Sequence, residues 1–204
     1  FVFILDTFSA ALPATVVAKL LGKKTILRTG GDFLWEGYVE RTGDLTLLKD
    51  FYNTCLPNLS FKERIVFRII KFILNTVDVV VWSTLWQKNI FMQPYELQGR
   101  KHKIIENYYG EKFAPTEAQN KNFVAGTRVL KWKNIPVLEE VFVDGEVVLS
   151  GAQLDLERVT HDAFLEKIKQ SYAVIISSLG DISPNTILDA IRCDKPFIVT
   201  KETG

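Results

Sequence analysis

Residues 172–204, YAVIISSLGDISPNTILDAIRCDKPFIVTKETG, constrain the fold more than any other stretch. The apolar residues 172–176 read as a buried strand that ends at Ser177-Ser178. A tight loop leads to Ser183-Pro184, and serine favours the helix N-cap as proline favours the first helical position. Ile187, Leu188 and Ile191 then supply an apolar helical face, and Lys195-Pro196-Phe197-Ile198 leads back into a strand. Strand, loop, helix and strand in that order are the building unit of a parallel sheet.

The start of that helix is suited to chemistry. Its dipole and the backbone N–H groups near Asn185 and Thr186 suit a phosphate. Asp181 lies in the loop and Asp189 inside the helix, and a carboxylate accepts two hydrogen bonds from a sugar diol. The alternative is plain: Asp181 caps the helix and Asp189 faces solvent.

Earlier parts of the chain repeat the alternation. Residues 1–5 form an apolar strand, 13–21 a helix closed by Gly22, and 24–29 a strand ending in Gly30-Gly31-Asp32. Paired glycines allow positive φ and close approach of the backbone, so Asp32 is expected to face a cleft outside the strand ends, a plain turn being the alternative. Residues 33–58, with Trp35, Glu36 and Tyr38, read as a long irregular segment suited to an acceptor-binding flap. Residues 60–77 form a long helix in which Ser60 and Glu63 suggest a capping box and Arg64, Arg68 and Lys71 share a face. Two readings of that helix stay open: packing on the sheet with a solvated basic stripe, or peripheral contact with an anionic membrane.

A strand over 78–82, a helix over 85–97 interrupted by Pro94 and a strand over 103–106 complete the first region, which ends near residue 110. Residues 111–122 are polar and read as a linker. The second region covers 123–204: a strand at 123–125, a helix at 134–142, a strand at 146–149 and a helix at 163–170 with a cap in Thr160-His161-Asp162. Arg128 and Lys133 follow the first of these strands, and an Arg fork with a Lys point charge suits a diphosphate, although Lys133 also reads as a plain solvated lysine. His161 reads as a surface or capping residue.

Composition excludes several classes. Net charge is +1, against a general nucleic-acid binder, and two histidines exclude a His-rich metal site. Cys55 and Cys193 stand far apart without metal-ligand spacing, which points to a reducing, cytoplasmic setting. No P-loop or Gly-x-Gly-x-x-Gly fingerprint is present. The chain starts at Phe1 rather than Met and stops at Gly204 just after a strand, so it reads as a fragment cut at both ends.

These residues together resemble the family 4 retaining glycosyltransferases. The family's donor motif, Glu-x7-Glu followed by Lys-Pro and a strand, is matched by Asp181, Asp189, Ala190 and Lys195-Pro196, with Asp in place of both Glu. Ala125-Gly126-Thr127-Arg128 with Lys133-Asn134 matches the diphosphate-binding segment, and Gly31-Asp32 matches the acidic strand end of the first lobe, with Gly31 where many members have His. The resemblance implies the GT-B fold, two Rossmann-like lobes facing a cleft. It implies transfer of a sugar, with retention, from a nucleotide-diphosphate-sugar to a glycan or lipid-linked acceptor, without a cofactor or metal. Arg128, Lys133, Pro184, Asn185, Thr186 and Asp189 would bind the donor, with the ribose at Asp189 and the donor sugar at Asp181. Gly30, Gly31, Asp32 and Trp35 would lie on the acceptor side, and Asp32, Arg128, Lys133 and Asp181 would serve catalysis. The alternatives of the same fold are a nucleotide-sugar-binding protein without turnover and a sugar-nucleotide epimerase.

Overall fold

The computed structural model describes residues 1–118, 120–126, 128–143 and 151–204, and of residue 143 only the backbone. The chain folds as two compact units. The first is Phe1–Asn107 with Asp181–Ser183 and Gly204, and the second is Tyr108–Gly180 with Pro184–Thr203.

In the first unit, strands β1 (Val2–Ile4), β2 (Thr25–Arg28), β3 (Val79–Trp82) and β4 (His102–Ile104) form a parallel sheet in that order. Each connection advances in the same direction. Right-handed crossovers therefore stack the connecting helices on one face, and Ile4, Leu27 and Val80, aligned in register, are buried there. Helix α1 (Ala11–Leu20) ends at Gly22, whose φ of 62° is the left-handed conformation that glycine adopts at least cost. The N–H of Lys23 reaches the carbonyl of Ala18 and that of Gly22 the carbonyl of Lys19, which completes a Schellman closure.

The segment 33–58 is not irregular. It holds α2 (Phe33–Thr42), α3 (Leu48–Thr54) and a single 3-10 turn, Leu56–Asn58. Gly37 and the left-handed Gly43 interrupt the apolar period that would have announced these short helices. Trp35, Tyr38, Phe51 and Tyr52 are buried and form an aromatic core, so the segment is packed structure rather than a flap. Helix α4 (Phe61–Thr76) carries the full capping box between Ser60 and Glu63 and buries Ile70, Ile73 and Leu74. Arg64 and Arg68 lie on its exposed side. Helix α5 (Leu85–Met92) stops short of Pro94, as the ring requires.

In the second unit the order is β6-β5-β7-β8, all parallel, from β5 (Asn122–Val124), β6 (Gln153–Asp155), β7 (Ala173–Ile176) and β8 (Phe197–Val199). The connecting helices are α6 (Ile135–Val143), α7 (His161–Gln170) and α8 (Asn185–Arg192). Two cores are built on this sheet. Val124, Leu165, Ile168, Val174 and Ala190 form one with Phe113 and Phe164 against it, and Ala125, Ile135 and Leu138 form the other. The strand expected at 146–149 lies outside the described residues, whereas β6 follows it where no strand was expected. Phe113, in the stretch read as a linker, donates its N–H to the carbonyl of Arg192 at 2.7 Å.

Candidate functional site

The strand order of the second unit fixes where a ligand can bind. From β5 the chain leaves toward β6, and from β7 it leaves the other way, toward β8. The crevice outside the carboxyl ends of β5 and β7 is thus a topological switch point, the usual binding position in open α/β sheets. A cavity of about 490 Å³ opens there, lined by Gly126, Arg128, Arg158, His161, Phe164, Asn185, Thr186 and Asp189 among others.

Each wall has a local cause. Gly126 follows β5, and a Cβ on it would lie 1.9 Å from the ring of Phe164, so no larger residue fits without moving that ring. Its carbonyl accepts the Thr186 hydroxyl at 3.4 Å, which ties the β5 loop to the start of α8. Helix α8 begins one residue later than expected: Pro184 occupies the N-cap and no side chain caps the helix. Ser183 does not act as the cap, because its Oγ instead accepts from the Asn107 amide at 3.1 Å. No side chain caps α8, and the residues at its start, Asn185 and Thr186, line the cavity.

Asp189 stands one helical turn further in, with a side chain only 11% exposed. Its Oδ2 lies 3.1 Å from Nε2 of His161, the first residue of α7, and its Oδ1 lies 3.9 Å from the Arg192 guanidinium. A carboxylate only accepts, so Nε2 carries the proton of this hydrogen bond. His161 is exposed, the surface residue expected, and Thr160 supplies the cap of α7, through the Ala163 N–H. Sequence reading also passed over Arg158 and Phe164. The usable signal was the Thr160 cap, which sets His161 at a helix start on the carboxyl edge of the sheet.

The other expected site residues are distributed differently. Lys133 closes a 3-10 turn, Lys131–Lys133, and its ammonium lies 4.3 Å from the Trp132 ring centroid, outside the lining of this cavity. The turn is held to β7 by the Ser177 hydroxyl, which donates to the carbonyls of Lys133 and Asn134. Asp181 belongs to the first unit, where its carbonyl accepts the Gly204 N–H, and it does not line the cavity with Asp189.

Asp32, expected to face a cleft, is instead buried. Asp32 is 3% exposed and is the N-cap of α2: its Oδ1 accepts from the N–H groups of Leu34 and Trp35 and its Oδ2 from the Tyr52 hydroxyl at 2.6 Å. Tyr52 in turn shares a hydrogen bond with Tyr95. Desolvation pushes the Asp32 carboxyl up to about 6 despite these donors. Burial and the adjacent Asp32 charge hold Tyr52 and Tyr95 well above the ordinary phenol range, so both stay protonated. Trp35 is buried and gives its indole N–H to the Thr46 carbonyl. Gly30 and Gly31 do not use positive φ. The backbone instead runs straight into the Asp32 cap, with the Gly30 carbonyl held by Gln87.

Among the described residues no group of three or more His, Cys, Asp or Glu side chains could hold a metal ion, and no helix is long and apolar enough to cross a membrane. Cys55 and Cys193 are both free thiols.

No protein-family profile and no curated protein matches the chain. Solved structures do. Sucrose-phosphate synthase from Thermosynechococcus elongatus is similar with a TM-score of 0.64 and 12% identity, over 95% of this chain and 55% of that one. A UDP-forming α,α-trehalose-phosphate synthase from Burkholderia vietnamiensis gives 0.55 and 9%, over 98% and 57%. The pneumococcal O-GlcNAc transferase GtfA, solved with UDP and GlcNAc, gives 0.50 and 13%, over 92% and 44%. The chain spans about half the length of these proteins. At such identities the likeness is one of fold: two parallel α/β units of the GT-B type.

Proposed function

We propose that this chain is part of a glycosyltransferase that moves a sugar, with retention, from a nucleoside-diphosphate-sugar to a glycan or lipid-linked acceptor. The observation that carries the reading is the cavity at the β5/β7 switch point, where the mouth of α8, Arg128 and the recessed Asp189 converge. The diphosphate would rest on the α8 mouth and Arg128, and the ribose hydroxyls on Asp189. During transfer, negative charge grows on the leaving diphosphate. Fixed donors at a helix end stabilise that charge without reorganising. Lys133 would reach the diphosphate and Asp181 the donor sugar, on the strength of the family resemblance. Similarity of fold to transferases, one of them solved with UDP, supports the donor class.

One observation favours a second reading, nucleotide-sugar binding without transfer. The resemblance assigns an acid to the acceptor side, and here that acid, Asp32, is engaged as a buried cap.

The protein should be screened against UDP, GDP and ADP by thermal unfolding. One of them should stabilise it, by ~2.7 kcal/mol at 100 times its Kd. Stabilisation by none would sink the donor-site reading. With the matching nucleotide-sugar, release of nucleotide together with an acceptor product of unchanged anomeric configuration separates transfer from binding.

A further inference from the structure

The described residues hold a second group at the cavity that the reading above does not use: His161, whose side chain is 62% exposed while its partner Asp189 is 11% exposed. The imidazole belongs to α7 and the carboxylate to α8, so the hydrogen bond joins two elements across the cavity wall. Within α8, Asp189 has no comparable restraint, since Arg192 stands 3.9 Å away and turns its guanidinium over the Phe113 ring at 4.6 Å.

An Asp side chain one turn into a helix can turn about χ1 and χ2, and only some of those positions present an oxygen to the cavity. Nε2–H binds one lone pair of Oδ2. The carboxylate keeps its remaining acceptor positions, out of about four, for other donors. A vicinal diol needs two of them, at a fixed orientation. We infer that His161 is a positioning residue that holds Asp189 ready for the ribose diol, and so sets the preference of this site for a ribonucleotide over one lacking the hydroxyls. The inference rests on the donor-site reading and adds to it an imidazole that acts through the Asp189 carboxylate.

The test uses the tightest binder among UDP, GDP and ADP and its 2′,3′-dideoxy counterpart. The quantity read is the ratio of their dissociation constants, because the phosphates and the base are common to both. In the parent the ribonucleotide should bind better, and Asp189→Asn should collapse that preference. His161→Ala should cut the ratio by about tenfold, the scale of one hydrogen bond to a charged group. His161→Gln, whose amide N–H reaches where Nε2 does, should restore most of it. Thermal midpoints of the variants close to the parent would show that folding is not what changed. A ratio unaltered by His161→Ala while Asp189→Asn abolishes it overturns the inference and leaves the donor site standing. A ratio near one in the parent overturns both.

Discussion

Asp32 and Asp189 both sit near the point where a parallel strand hands over to a helix, and both read from the sequence as acids facing a ligand. The structure gives them opposite employment. Asp32 immediately precedes α2, so the first-turn N–H groups of Leu34 and Trp35 lie within reach, and it takes both. The aromatic segment folded over it then adds the Tyr52 hydroxyl and removes the site from water. Asp189 is one turn inside α8, where backbone N–H groups are committed to carbonyls four residues back. No backbone donor of its own helix can claim it. It meets the side chains of His161 and Arg192 and lines an open cavity. The position of an acid relative to the helix start therefore decides whether the fold consumes its hydrogen-bonding capacity or leaves it for a ligand.

The largest test of this contrast is the pH dependence of stability. Folded Asp32 keeps its proton up to about 6, whereas the unfolded chain releases it near 3.8. Between those values the folded state binds more protons, so its stability falls as pH rises through the window and levels off above it. A gap of about two pH units corresponds to ~3 kcal/mol at ~1.36 kcal/mol per unit. Asp32→Asn keeps an acceptor for Leu34 and Trp35 and cannot ionise. Denaturant unfolding at about pH 3 and about pH 7 should show the variant gaining ~3 kcal/mol on the parent between the two. A difference that does not move with pH would break the contrast, because Asp32 would then be as well solvated as a surface carboxylate.

A smaller effect is expected at Gly126. Adding a methyl 1.9 Å from the Phe164 ring forces that ring out of the position it holds against the core. Gly126→Ala should cost ~2 kcal/mol, in the range of overpacking. Adding Phe164→Leu should return part of the loss, read as a coupling energy in a double-mutant cycle. Strictly additive losses would mean that this contact does not shape the cavity beside Asp189.

Arg128 should matter least, because it is exposed. Arg128→Ala should weaken binding of the nucleoside diphosphate by at most ~1 kcal/mol, and the difference should fade as salt screens it. A much larger, salt-insensitive loss in calorimetric titration would show the guanidinium desolvated on binding. The second-unit site would then be nearer to the buried setting of Asp32 than to an open cavity.

Several elements could be read from local pattern because their causes are local. The capping box of Ser60 and Glu63 needs only residues three apart, and the left-handed closure at Gly22 needs only a glycine after an apolar helix. The apolar strand runs at 79–82 and 173–176 need only their own side chains. The short helices α2 and α3 escaped because Gly37 and Gly43 break their period, and tertiary packing of Trp35, Phe51 and Tyr52 supplies what propensity does not. Residues 153–155 escaped because a three-residue strand carries too little pattern to stand out; pairing with β5 makes it.

The candidate site divides along the same line. Arg128, Asn185, Thr186 and Asp189 were legible because a strand–loop–helix sequence announces a helix mouth and the acid within it. Which acid remains available was not legible, because burial of Asp32 depends on Tyr52 and Tyr95, 20 and 63 residues further along the chain. The partnership of His161 with Asp189 was hidden for the same reason: it joins residues 28 apart, and only the packing of α7 against α8 brings imidazole and carboxylate within 3.1 Å. Short-range chemistry writes caps, turns and strand ends into the chain, while the solvation of a charged group depends on everything folded around it.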